Sequence, residues 1–237
     1  MKKVKAEVCY FSLCELILWG SSSVLIILSF CLFDRTNWLV LAASLLGAAS
    51  LILNAKGNLI GQALMIVFSI LYGIISYSFR YYGEMITYLG MTAPMAVLAL
   101  ISWMKNPYKG KKSEVKVNSI GKAEYLIMFA VSFAVTFIFY FILRYFQTAN
   151  IVPSTISVAT SFLAVYLTFR RSAFFPLAYA ANDIVLIVLW SLAAYENSSY
   201  ISVIICFAAF LANDLYGYFS WRKMYIRQRI NDEENRN

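Results

Sequence analysis

The sequence predicts an all-α integral membrane protein of eight transmembrane helices, arranged as two parallel three-helix repeats joined by a linker helix, behind one extra N-terminal helix. Three observations predict it. Of 237 residues, 61% are hydrophobic and only 14% are charged, against about 25% charged in soluble domains. Eight apolar runs, each close to the ~20 residues that cross a hydrocarbon core of ~30 Å, use up nearly the whole chain. The chain also partly matches itself when displaced by 118 residues. No room is left for a soluble catalytic domain, so the spans themselves must carry the function.

The runs cover residues 16–33, 38–54, 58–79, 83–104, 124–146, 154–169, 173–195 and 199–221. The first follows "MKKVK" as a signal peptide would, but Glu15 and Ser21 to Ser23 interrupt it and no small-residue cleavage site follows. "LSFC" at 28–31 has Phe30 where a lipidation box wants a small residue, so the run reads as a helix. Span two ends in a turn at Lys56. Span three carries Gln62, Ser69, Gly73 and Ser76 at helical spacing, a polar and small stripe on one face. Span four has Pro94 near its middle, where a proline frees a backbone carbonyl and can kink the helix. A lysine-rich segment precedes span five. Span six is amphipathic through Ser157, Thr160, Ser161 and Thr168, and spans seven and eight each contain an Asn-Asp pair. The chain divides into 1–34 (tail and extra helix), 35–105 (first repeat), 106–150 (basic loop and linker helix), 151–222 (second repeat) and 223–237 (charged tail).

Charge sets the expected orientation. With the N-terminus cytoplasmic, all 20 basic residues except Arg35, Arg80 and Arg144 fall on the inner side, as the positive-inside bias demands. Both termini are then cytoplasmic. The net charge of +8 needs no nucleic-acid partner, because it is the topology signal plus attraction to anionic inner-leaflet lipid. There is no histidine, and Cys9, Cys14, Cys31 and Cys206 lack C-x-x-C spacing. Zinc and dithiol chemistry are therefore unsupported, and the cysteines read as small core residues. With no nucleophile and base, metal constellation or nucleotide loop, the chain reads as neither an enzyme nor a cofactor protein.

The 118-residue displacement places Leu71 on Leu189, Tyr77 on Tyr195, Tyr82 on Tyr200, and Ser102, Trp103 and Lys105 on Ser220, Trp221 and Lys223. Spans two to four thereby repeat as spans six to eight in the same orientation. Parallel repeats of this kind occur in the SWEET carriers, and substrate sites lie at the repeat interface near the midplane.

Asp183 in span seven and Asp214 in span eight read as the ionisable groups well inside the spans. Each costs roughly 2.5 to 3.5 kcal/mol at a helix centre, so such groups face the interior and mark pathways. Both follow an asparagine, and neighbours about 100° apart cannot share one narrow face. One of each pair is expected to line a lumen while the other bonds a neighbouring helix; purely structural polar clamps are the alternative. Trp190 lies two turns after Asn182 and Tyr179 one turn before Asp183. Tyr72, matching Trp190 in the repeat, borders the span-three stripe, and span four adds Tyr88 and Thr92. The expected substrate-binding set is thus Gln62, Tyr72, Tyr88, Thr92, Tyr179, Asn182, Asp183, Trp190, Asn213 and Asp214. No buried cation awaits a phosphate. A flat aromatic cation suits the set better: carboxylates offset its charge, amides bond its hydroxyls, and Trp190 and Tyr72 offer π faces worth roughly 0.5 to 2 kcal/mol each. The rival use of a midplane aspartate is proton coupling.

Two stretches carry a family resemblance. "GMTAPMAVLALISWMKNPYKG" at 90–110 resembles the end of the first repeat in the PnuC vitamin transporters, and "YGYFSWRK" at 216–223 resembles the close of the second. The 3+1+3 plan with an optional N-terminal helix is similar too. The resemblance implies a bacterial inner-membrane protein that takes up nicotinamide riboside, an NAD precursor, by facilitated diffusion. Phosphorylation by a cytoplasmic ribosylnicotinamide kinase would trap the substrate, and the carrier would be a homotrimer. The chain departs from the family pattern at the W-x-x-W signature, where Phe174, Phe175 and Tyr179 stand instead, and at Ala96 and Ala99. Relatives of this fold are associated with thiamine, riboflavin or deoxynucleosides. Thiamine or another nucleoside-like vitamin, with proton coupling through a midplane Asp, is the alternative reading.

Overall fold

Local signals set where the helices begin. Ser12 caps the first helix in a reciprocal box with Glu15: the Ser12 N–H donates to Glu15 Oε2 at 2.7 Å and the Glu15 N–H to Ser12 Oγ at 3.3 Å. Asn58 caps the third through the Ile60 N–H at 2.9 Å. Gly57, at φ +67°, takes the left-handed conformation that ends the second. A computed structural model of the chain describes residues 10–79 and 81–235. Its eight helices long and apolar enough to cross a membrane are α1 (Leu13–Phe33), α2 (Trp38–Ala55), α3 (Leu59–Ser78), α4 (Tyr82–Met104), α5 (Lys122–Tyr145), α6 (Ile151–Phe169), α7 (Phe175–Ala194) and α8 (Ile201–Glu234).

Helices α2, α3 and α4 pack in sequence, as do α6, α7 and α8, and the ring closes where α2 meets α8 and α4 meets α6. Both seams are bonded alike. Ser102 Oγ and Trp103 Nε1 of α4 donate to the carbonyls of Phe169 and Thr168 at 2.8 and 2.9 Å. Ser220 Oγ and Trp221 Nε1 of α8 donate to those of Ala55 and Asn54, both at 2.7 Å. Helix α1 lies against α8 and α2, and α5 mainly against α6. Only 22% and 17% of their apolar windows are buried, which puts both at the periphery with outward faces suited to lipid.

Two features differ from the expected layout. The basic loop holds an antiparallel hairpin, β1 (Pro107–Tyr108) and β2 (Lys111–Val115). Its turn residues Lys109 and Gly110, at φ 48° and 73°, are both left-handed, as a tight two-residue hairpin requires. The tail is not a separate segment, because α8 runs unbroken through residue 223 to Glu234. Gln228 explains why: it accepts from the Val117 N–H at 2.9 Å and donates to the Val115 carbonyl at 3.0 Å, docking loop and helix together. Ion pairs gather at the same end, Lys56 with Glu15 at 2.9 Å and Arg227 with Glu114 at 2.6 Å. Of the cysteines, only Cys206 is a core residue; Cys14 and Cys31 are exposed, and Cys9 lies outside the described residues, as do Lys2, Lys3, Lys5, Arg80 and Arg236.

Candidate transport site

Helix α4 is irregular where it meets the bundle interior. Residues Tyr88–Thr92 form a π-helical turn, the Ala93 N–H reaching back to the Tyr88 carbonyl, directly before Pro94. In a regular α-helix each four-residue step overshoots a full turn by about 40°. The wider turn uses more residues per revolution and cancels that drift. Glu84, Tyr88 and Thr92 therefore stay on one inward face, and all three are buried.

That face meets α7 and α8 at a small cavity near the middle of the spans, whose polar lining is Tyr88, Thr92, Tyr179, Asn182, Asp183 and Asp214. Asn182 is anchored from α6: its Oδ1 accepts from Thr160 Oγ1 at 2.8 Å and Ser161 Oγ at 3.0 Å. Its amide N–H groups are left to serve the cavity. Asp183 and Asp214, from adjoining helices, stand together in the lining of this small cavity. Asp183 Oδ2 and Thr92 Oγ1 have no hydrogen-bond partner among the described residues. Two acidic groups pressed together in a dry site form a place where positive charge is stabilised, whether it arrives as a proton or as a cationic solute. Phe68, Phe207 and Phe210 make the apolar wall. A Cβ at Gly47 would collide with the Phe210 ring, so the glycine is what lets that ring pack against α2. The cavity holds about 20 Å³, room for about one water. Passage of any vitamin requires these rings to move.

The structure brings six of the ten expected residues together and places four elsewhere. Trp190 is fully buried and its Nε1 donates to Tyr72 Oη at 2.6 Å. The indole packs against Tyr81 and Tyr200 at ring separations of 4.8 and 5.4 Å. Neither Trp190 nor Tyr72 borders the cavity; their ring edges and polar atoms are spent on each other. Gln62 donates to Asn54 Oδ1 at 3.0 Å near the basic end, and Asn213 donates to Ser22 Oγ of α1 at 2.8 Å. In the second Asn-Asp pair Asp214 thus faces inward and Asn213 holds a neighbour; in the first, both residues reach the cavity.

Sequence reasoning missed Glu84, which is 1% exposed and one turn before Tyr88. Its position near the end of a span made it look like a boundary charge. The signal that finds it is the four-residue spacing of Glu84, Tyr88 and Thr92.

Eight spans around a buried cavity of acids, amides and aromatic rings define a multi-pass membrane carrier. The nicotinamide mononucleotide transporter family matches residues 37–223, and the chain belongs to that family. It is similar to the nicotinamide riboside transporter PnuC of Neisseria mucosa, 25% identical over 199 residues that cover 82% of this chain and 76% of that protein. It is also similar to the nicotinamide riboside transporter PnuC of Haemophilus influenzae, 22% identical over 192 residues that cover 81% and 82% of the two. The crystal structure of the vitamin B3 transporter PnuC superposes with a TM-score of 0.81 at 22% identity, over 92% of this chain and 94% of that one. These relatives are transporters and not enzymes, and the PnuC resemblance read from residues 90–110 and 216–223 is borne out.

Proposed function

We propose that this protein takes up nicotinamide riboside across the bacterial inner membrane, with both termini cytoplasmic, by facilitated diffusion. Net inward flux then comes from phosphorylation by a cytoplasmic ribosylnicotinamide kinase, and the working unit is a homotrimer. The two three-helix units are read as duplicated halves whose interface holds the solute. One observation carries the reading: the adjacent Asp183 and Asp214 carboxyl groups share a midplane cavity with Tyr88, Tyr179 and Asn182. That combination suits a pyridinium cation bearing ribose hydroxyls, with charge offset by the acids, ring faces met by tyrosine, and hydroxyls bonded by the amide. The names of the curated relatives support the same substrate.

The test is uptake of labelled nicotinamide riboside into proteoliposomes of the full chain. Saturable uptake that survives an uncoupler is expected. Abolition by the uncoupler would overturn facilitated diffusion in favour of proton coupling through the carboxyl pair. Thiamine is included as competitor because the W-x-x-W signature is absent around Phe174 and Phe175. Preference for thiamine over the riboside would overturn the substrate.

A further inference from the structure

Glu84 is the one acidic side chain, among the described residues, with both carboxyl oxygens fully buried and without a hydrogen-bond partner. It stands on the inward face of α4, between the Tyr81 end of the bundle and the midplane cavity. The Tyr82–Thr87 part of α4 packs on α6, where the Ser157 hydroxyl is likewise buried without a partner. The basic residues within the described chain are at helix ends, in the loops or on the stretch of α8 from Arg222 onward, far along the chain from the midplane Asp214, so none enters the interior beside it. An isolated buried carboxyl is among the costliest groups a membrane interior can hold, and such groups are ordinarily found paired or hydrogen-bonded.

Its surroundings show what it is placed to meet. Glu84 lies one turn before Tyr88 on α4, and the Tyr88 ring packs against Tyr72 with centroids 4.4 Å apart. Tyr88 in turn shares the lining of the midplane cavity with Asp183 and Asp214. The acids therefore form a sequence of acidic positions, Glu84 first and the aspartate pair second, with Tyr88 on the face of α4 that joins them. This is the lining of a route for positive charge: each carboxylate offers a Coulombic partner, and each ring a face to a flat cation.

We propose that Glu84, with the Ser157 hydroxyl and the Tyr88 ring, forms a separate subsite for an organic monocation on the Tyr81 side of the aspartate pair. A charged solute is then handed from one carboxylate to the next. Glu84 acts on charge rather than on shape, so it makes the carrier discriminate a pyridinium from a neutral ring of the same size. This inference rests on the riboside reading above.

The experiment compares nicotinamide riboside with its neutral isostere, in which a benzamide ring replaces the pyridinium. Glu84→Gln keeps size and one acceptor while removing the charge. Expected is a loss of about tenfold in uptake of the cation, equivalent to ~1.4 kcal/mol, with uptake of the neutral isostere changed less than twofold. Equal losses for both, or none for either, overturn the subsite. A second measurement uses the unaltered protein: a hydrophobic carbodiimide labels Glu84, located by mass spectrometry. Nicotinamide riboside and the bare cation N-methylpyridinium should protect it while the neutral isostere does not. Labelling indifferent to both cations, or no labelling at all, overturns the proposal. If the unaltered protein carries neither riboside, the substrate reading fails by itself. N-methylpyridinium protection then still decides for or against the subsite.

Discussion

Gln62 and Asp183 are both polar side chains buried inside a membrane bundle, but their bonding differs. Around Gln62, among the described residues, no fully buried side-chain atom lacks a partner: Gln62 Nε2 donates to Asn54 Oδ1, Asn54 Nδ2 to Ser50 Oγ at 3.3 Å, Ser50 Oγ to the Gly61 carbonyl at 3.1 Å, and Trp221 to the Asn54 carbonyl. Around Asp183 bonds are left open, on its own Oδ2 and on Thr92 and, about two turns earlier on α4, on Glu84. The first is a clamp between α2 and α3 that also receives α8. The second is a surface built for something that comes and goes. In low dielectric an unmet hydrogen bond is a standing cost, so the open bonds around Asp183 set it apart from the Gln62 clamp where residue type does not.

The largest expected effect falls on the open region. Asp214→Asn and Asp183→Asn should each weaken nicotinamide riboside binding by about thirtyfold or more, the consequence of ~2 kcal/mol or more for removing one member of a buried charged contact. Isothermal calorimetry on protein that still elutes as a folded species checks it, and unchanged affinity in both would erase the distinction between the two regions. Next comes Gln62→Ala, which orphans Asn54 and should cost ~1 to 3 kcal/mol of stability while affinity in the folded fraction stays within twofold. Thermal unfolding in detergent reads the first and calorimetry the second. Trp190→Phe removes the N–H donated to Tyr72 but keeps the aromatic packing. It should lower stability by about 1 kcal/mol and leave uptake nearly unchanged, whereas a large uptake defect would move Trp190 into the pathway. Ser22→Ala should be the mildest, about 0.5 to 1 kcal/mol, seen as a small drop in melting temperature as Asn213 loses its partner on α1.

The same contrast explains what was legible in the sequence. Span count follows from apolar length alone, because a bilayer accepts few other solutions, and all eight helices lie where the hydropathy puts them. Asp183 and Asp214 were visible because charge in mid-span is rare. Trp190 and Tyr72 were read as ligand faces because helical phase says which residues point inward. It does not say which inward group is already taken by another inward group. Asn213 and Gln62 were misjudged for the same reason, their partners Ser22 and Asn54 lying on helices that phase alone cannot position. Glu84 was hidden by its place near a span end, and the wide turn at Tyr88–Thr92 that keeps it in line with Thr92 has no composition of its own beyond the Pro94 that follows. The hairpin's signal is the Lys109-Gly110 turn alone, two residues within a segment whose lysines carry the topology signal.

Helix α8 is 34 residues long, about 51 Å at 1.5 Å per residue, well beyond a ~30 Å apolar core. Asp214 sits within it, and Gln228, four turns onward, is stitched to the hairpin. A tilt at the carboxyl pair must therefore sweep the helix's far end and the hairpin as one arm. A fluorophore attached there would report, from the aqueous side, each swing of a residue buried at the centre of the bundle.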